Sequence, residues 1–387
     1  MRWMMSFVFF LFMQIRAEET KICLNMIVKN ESRVIRRCLE SVKPLIDYYV
    51  IVDTGSTDGT QNIIREVMAS IPGELHEAEW KNFGFNRNIA LDHAKGKGDY
   101  LLFIDADEEF IYDPDFDLKH LTLDSYHIVV KNEVQGSIMS EYTRRLLVNN
   151  HLDWRWQGVI HEDIYCEREN QTALLNGIYN ISRTTEGARS RDPNKYLNDA
   201  KILEEELLKD PQNSRNLVHL GLSYDLAGQS QNALDAFCRA IEIGIHRPHF
   251  SAEIDVALLI RTELLIKLGY NDEKIFESAQ MSYLYNQNRA EPLFFLGSHL
   301  MNRGFWVLAE LVLKKAKTIP KPCLVGFVLN NVYDWEIEYS LIQCCYNLQK
   351  YGEVLQLMDE LLQKGGIPEW VELDILEHRN YMVSNVM

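Results

Sequence analysis

The sequence is short of positive charge. Forty lysines and arginines stand against 56 aspartates and glutamates, a formal charge of −16 over 387 residues. A surface that acidic repels phosphate backbones and anionic lipid, which argues against nucleic acid as the main partner but leaves room for a local basic pocket. Paired cysteines are lacking too. Cys23, Cys38, Cys166, Cys238, Cys323, Cys344 and Cys345 are scattered, odd in number and never in C-x-x-C spacing. That pattern speaks for buried free thiols and against a disulfide framework or zinc site. No apolar run is long enough for an ordinary membrane-spanning helix. The run from Trp3 to Met13 follows Arg2 and is followed by Ala17, which are the parts of a secretory signal. Residues 1–20 are therefore set apart from the fold as a hydrophobic leader. The N-x-S/T triplets at Asn30, Asn170 and Asn180 are of a kind that arises often by chance. What remains is globular: 47% apolar and 25% charged, with length for two domains.

The first half alternates strand and helix. KICLNMIV (21–28) is a short apolar strand, and residues 32–42 follow with Val34, Ile35, Cys38, Leu39 and Val42 on one helical face. YYVIVD (48–53) is a second strand, closed by the turn TGSTDGT. Residues 60–70 predict a helix with Ile63, Ile64, Val67 and Met68 inward. ELHEAEW predicts a third strand, residues 86–95 a helix and DYLLFID a fourth strand. Such alternation implies right-handed crossovers and a mainly parallel sheet, whose ligands bind at the carboxyl ends of its strands. Lys29-Asn30-Glu31, Asp53-Thr54-Gly55-Ser56 and Asp105-Ala106-Asp107 all fall there. Singly, Asn30 reads as a helix cap and Asp53 as a turn residue; together on one sheet edge they mark a site.

YLLFIDADEEF runs an oily strand into Asp105, Asp107, Glu108 and Glu109, although like charges so close raise one another's pKa. In an extended segment residues two apart point the same way, so Asp105 and Asp107 face one ligand with Ala106 turned away. Carboxylates suit Mn²⁺ or Mg²⁺, an ion able to neutralise a leaving diphosphate. In order and spacing, NMIVKNE, VIVDTGSTDGT, NFGFNRNIAL and YLLFIDADEEF resemble glycosyltransferase family 2, with its GT-A fold, over residues 21–190. The resemblance implies transfer of a sugar from a nucleotide diphosphate donor, a UDP-sugar, with inversion at the anomeric carbon. It implies nucleotide-sugar contacts at Asn30, Glu31, Asp53, Arg87 and Asp105, and a metal ligand in Asp107. Thr54 departs from the second aspartate that many members carry after the first.

An inverting displacement needs a carboxylate on the acceptor side to take the hydroxyl proton. WRWQGVIHEDI (154–164) resembles the W-x-G-x-x-H-E element of a subgroup that joins this fold to helical repeats. By that resemblance Glu162 is the candidate base. Asp163 is the runner-up, since Glu162-Asp163 also resembles the E-D pair of other members. His161 is a candidate metal ligand, although a lone histidine is more often structural. The downstream loop SRTTEGARSRD lacks the histidine that related enzymes place there; Arg183, Arg189 and Arg191 remain to cover a diphosphate.

From about residue 194 the pattern is all helical. Leu217, Leu220, Gly221 and Tyr224, then Ala233, Phe237 and Ala240, hold the spacing of a tetratricopeptide repeat. The spacing recurs at Leu293, Leu296, Gly297, Leu300, Ala309, Leu313 and Ala316, with weaker copies over residues 251–285 and 338–362. The expected architecture is an α/β GT-A (nucleotide-diphospho-sugar transferase) domain over residues 21–192, then an all-α tetratricopeptide-like repeat domain over 193–387. The expected function is metal-dependent glycosyl transfer to a glycan, lipid-linked glycan or protein. The rival is a repeat-containing scaffold without turnover, which Thr54 and the missing histidine favour. Stacked repeats offer a concave surface for a peptide or for a second copy in a homodimer. The expected location is the cytoplasm or a membrane surface, with the leader pointing to export.

Overall fold

The computed structural model describes residues 19–385 apart from 135, 184, 248 and 323–326. The leader, but for its last two residues, lies outside the described residues, as does Cys323. The other six cysteines are free thiols, four of them buried.

Strand β1 (Ile22–Val28) is apolar except for Asn25 and buried on both faces, as a central strand of a covered sheet must be. Helix α1 (Ile35–Val42) buries Ile35, Cys38, Leu39 and Val42 on one face. Then come β2 (Tyr48–Asp53), α2 (Thr60–Val67), β3 (Gly73–Glu77), α3 (Phe83–His93) and β4 (Tyr100–Phe103). The Asn82 side chain caps α3 by accepting from Phe85 N, which starts this helix three residues earlier than the pattern predicts. β5 (Glu108–Tyr112), β6 (Ser125–Val134), β7 (Ser137–Asn149), β8 (Trp154–Gln157), β9 (Asp163–Cys166) and β10 (Thr172–Ser182) complete this half.

The main sheet runs β3-β2-β1-β4-β7-β6-β10-β5. Its first four strands are parallel, as expected. Beyond them the expectation fails. β7 is antiparallel to β4 and β6, and β10 is parallel to β6 but antiparallel to β5. A two-residue link between β6 and β7 leaves no room for a crossover helix. β8 and β9 form a separate hairpin, with Gln157 opposite Asp163.

The second half stacks helices in sequence: α4 (Lys195–Lys209), α5 (Ser214–Leu226), α6 (Ser230–Gly244), α7 (Ala252–Lys267), α8 (Asp272–Tyr285), α9 (Glu291–Asn302) and α10 (Trp306–Lys317). A two-residue strand, β11 (Val328–Leu329), interrupts them before α11 (Ile337–Asn347), α12 (Tyr351–Lys364) and α13 (Glu369–Asn385). Small residues sit where helices approach. A Cβ on Gly221 would stand 2.8 Å from the Phe237 ring, and one on Gly297 2.6 Å from Leu313.

A buried ion cluster joins the halves. Arg289, 1% exposed, pairs with Asp255 at 3.0 Å and with Glu291 at 2.7 Å. Glu291 also accepts from Leu329 N in β11, and β11 pairs with β7 across Val328–Glu141 and Leu329–Ser140. Removing the cation leaves two buried carboxylates facing each other. Arg289→Leu is expected to cost about 3–5 kcal/mol in urea unfolding; a loss below about 1 kcal/mol would show that the cluster contributes little.

Candidate active site

The carboxyl ends of β1 and β4 and the loop of the β8–β9 hairpin surround a cavity of about 790 Å³. Asn30, Glu31, Arg87, Asp105, Asp107, His161, Glu162 and Asp163 all line it. Asp53 does not. It is fully buried; its Oδ1 accepts from Gly55 N and Ser56 N at 2.7 Å, the work of a turn residue. Its Oδ2 is buried without a hydrogen-bond partner. Asn30 ties two loops together, donating its N–H to Ser56 Oγ and accepting from Thr57 N through Oδ1, both at 2.8 Å.

Arg87, 5% exposed on α3, is the hub of the charges. Its Nη2 donates to Asp105 and its Nε to Glu162, and the guanidinium lies over the Trp156 ring. Arg144 on β7 meets the other side of Asp105 at 3.2 Å and Glu108 at 2.7 Å. Burial alone would raise the Asp105 pKa; Arg87 and Arg144 outweigh it and hold the carboxyl well below the usual range.

Asp107 has the opposite surroundings. The chain turns after β4, with Glu108 N bonded to Asp105 O at 3.0 Å, so these aspartates do not lie on an extended strand as the pattern suggested. They reach the same cavity by way of the turn. Burial, then the charges of Asp105, Glu108 and Glu31, push Asp107 up to about 7. No cation pairs with it among the described residues. Glu31 is likewise pushed up to about 7, mainly by burial, although Ala188 N donates to both its oxygens at 3.0 and 3.2 Å. The two carboxyls form a corner without an ion-pair partner among the described residues.

The 3-10 turn Ala188–Arg191 folds over that corner, and a Cβ on Gly187 would stand 2.6 Å from Asp107 Oδ2. Of the three arginines expected to cover a diphosphate, only Arg189 lines the cavity. Arg183 is held away by Glu109 at 2.6 Å and Glu133 at 3.1 Å, and Arg191 donates to Asn30 O. Lys195 and Arg215, from α4 and α5, also line the cavity, Arg215 being committed to the His161 carbonyl. Desolvation, then Arg189, Arg215 and Lys195, lower the His161 pKa to about 4, so its imidazole is neutral. Arg144, Lys195 and Arg215 escaped the sequence reading because each takes its place through contacts remote in the chain. The doublet Arg144-Arg145 inside a strand was the one local signal.

Could the corner hold a divalent cation? Glu31 and Asp107 offer hard oxygens and have no ion-pair partner among the described residues, so their chemistry fits. Among the described residues, the group of three potential ligands with atoms within 4.8 Å of one another is Glu310, Cys345 and Glu353 in the helices. His161 and Asp107 belong to no such group.

Residues 23–123 match the model of glycosyl transferase family 2. This segment is a family 2 glycosyltransferase domain. The chain is 26% identical over 276 residues to the SPbeta prophage-derived glycosyltransferase SunS of Bacillus subtilis (strain 168), covering 67% of this chain and 63% of that protein. It thus spans less than two thirds of that relative's length. It is also 34% identical over 150 residues to a TPR repeat-containing protein of Synechococcus elongatus, 38% of this chain and 36% of the relative. Among solved structures, MamA overlaps 47% of this chain and 94% of its own at 18% identity, with a TM-score of 0.37. The family 2 segment thus contains β1 to β4, hence Asn30, Glu31, Asp53, Arg87, Asp105 and Asp107. Glu162 and Asp163 lie beyond it.

Asp107 supplies a stability test. Its folded pKa lies above the unfolded value, so the folded state binds the extra proton between about pH 4 and 7, and stability from this group falls as pH rises through 7. Without divalent cation, Asp107→Asn should be more stable than the native chain at pH 8 by on the order of 2 kcal/mol, with the gap closing below about pH 5. Urea unfolding at both pH values measures it; an equal gap at both would contradict the assignment.

Proposed function

We propose that the chain is an inverting glycosyltransferase, moving a sugar from a nucleoside diphosphate donor, a UDP-sugar, to a glycan, lipid or protein acceptor. The observation that carries this reading is the imbalance around the D-x-D turn. Asp105 is neutralised by two guanidiniums, whereas Asp107 and Glu31 face the cavity with no ion-pair partner among the described residues. Asp107 and Glu31 would hold Mn²⁺ or Mg²⁺, which supplies positive charge against the leaving diphosphate. Arg189 of the covering turn, itself paired with Asp199, and Lys195 of α4 add cationic charge for the same phosphates.

The base is one of two adjacent carboxylates. Glu162 is engaged by Arg87, which ties its carboxylate to the buried charge hub. Asp163 lines the cavity, accepts from Ile164 N at 2.8 Å and has no guanidinium partner among the described residues. We therefore assign the proton to Asp163, with Glu162 fixing the hairpin loop against Arg87. The acceptor oxygen forms its bond to the anomeric carbon as its proton passes to Asp163. The bond from that carbon to the diphosphate oxygen breaks, and its electron pair leaves with the diphosphate.

The test is a panel of nucleotide sugars with Mn²⁺ or Mg²⁺, read as donor hydrolysis and as nucleotide affinity by calorimetry. Asp163→Asn should lower turnover at least about a hundredfold, the usual worth of a general base, with UDP affinity within about threefold of native. An inactive Glu162→Gln beside an active Asp163→Asn would move the base to Glu162. Absence of metal-dependent binding and turnover across the panel would leave the scaffold reading standing.

A further inference from the structure

The carboxylates that end the proposed reaction sit on an unusual loop. β8 and β9 are rooted in the sheet core through Trp156 and Ile164, whereas the tip of the loop, Ile160, is 2% exposed in the core of the helices. The hairpin therefore spans both halves. Its loop takes two left-handed turns, at Gly158 (φ 104°) and at His161 (φ 52°). Glycine adopts the first freely; for histidine the second is strained and persists only where neighbours impose it.

The neighbours that impose it come from both sides. Arg145 of the sheet donates to Ile164 O at 2.9 Å. Arg215, at the start of α5, donates through Nη2 to His161 O at 2.6 Å, and Glu253 of α7 stands 3.5 Å from its Nε. One turn along α5, the His219 ring stacks on His161, centroids 4.5 Å apart and planes 9° from parallel. Both His219 ring nitrogens are buried without a hydrogen-bond partner among the described residues. Burying two such atoms unsatisfied destabilises a fold, so the stack is kept at a cost to stability.

We infer that Arg215 and His219, on the first helix of the repeat array, are positioning residues for Glu162 and Asp163. They hold the strained His161 backbone that aims both carboxylates into the cavity, so the helical half completes the catalytic site. This rests on the transferase reading for its effect on turnover, while the hold on the loop stands on the contacts alone.

The experiment uses the full chain and the variants Arg215→Ala and Arg215→Lys, with three readouts: amide exchange, UDP affinity with Mn²⁺, and hydrolysis of whichever nucleotide sugar the native chain accepts. In Arg215→Ala, exchange should quicken at least tenfold over residues 157–165 and stay unchanged over 100–110. UDP affinity should stay within twofold while kcat falls tenfold or more. Arg215→Lys, which keeps one donor, should recover part of both losses; it also serves if the alanine variant fails to fold. Unchanged exchange over 157–165, or a UDP affinity that falls by the same factor as kcat, would overturn the inference. If the native chain hydrolyses no donor, the transferase reading falls, and exchange still decides whether Arg215 holds the loop.

Discussion

One buried guanidinium organises the site. Taking Arg87 out of water would cost several kcal/mol if it were unpaired, so α3 can pack against the sheet only if carboxylates come to meet it. They come from two places: Asp105 at the end of β4, and Glu162 in the β8–β9 hairpin. A single cation thus sets the distance between the β4 end of the cavity and the hairpin loop. Arg144 repeats the device on the far face of Asp105. With both guanidiniums committed to Asp105 and its neighbours, Asp107 is left in a field of negative charge. The electrostatic contrast between two aspartates two residues apart is therefore a product of packing.

Much of this was legible in the residues, though unevenly. β1, β2, β4 and α1 follow apolar periodicity that local sequence dictates, and the close helix pairs at Gly221 and Gly297 follow a small-against-large pattern that needs no remote information. The long strands β6, β7 and β10 were not anticipated. They carry Lys131, Arg144, Arg145 and Asn180 between apolar residues, and those polar groups become strand-compatible only once partners from elsewhere arrive. The D-x-D stretch follows β4 and lines the cavity, but with another backbone than the pattern suggested: the turn hydrogen bond decided the geometry. For Asp53, its turn chemistry was as visible in TGS as any ligand role.

The loop arginines teach the same lesson in reverse. Arg183, Arg189 and Arg191 are equivalent as letters, yet Glu109 and Glu133 claim the first and the Asn30 carbonyl the third. Beside Arg189, two further cations that face the cavity, Lys195 and Arg215, come from α4 and α5, which composition would assign wholly to a separate array. Functional groups and the domain pattern do not share a boundary here.

The pairing of β11 with β7 carries a consequence for how the chain can be divided. β4 covers only the last part of β7, at residues 147–149, and the first part is covered on that side by Val328 and Leu329. A protease that cut between the halves would not release two finished bodies. It would bare main-chain amides and carbonyls along Ser140 and Glu141, an open edge ready to recruit any passing strand. The chain is better regarded as one interlocked unit, whose linker is the least informative place to look for a seam.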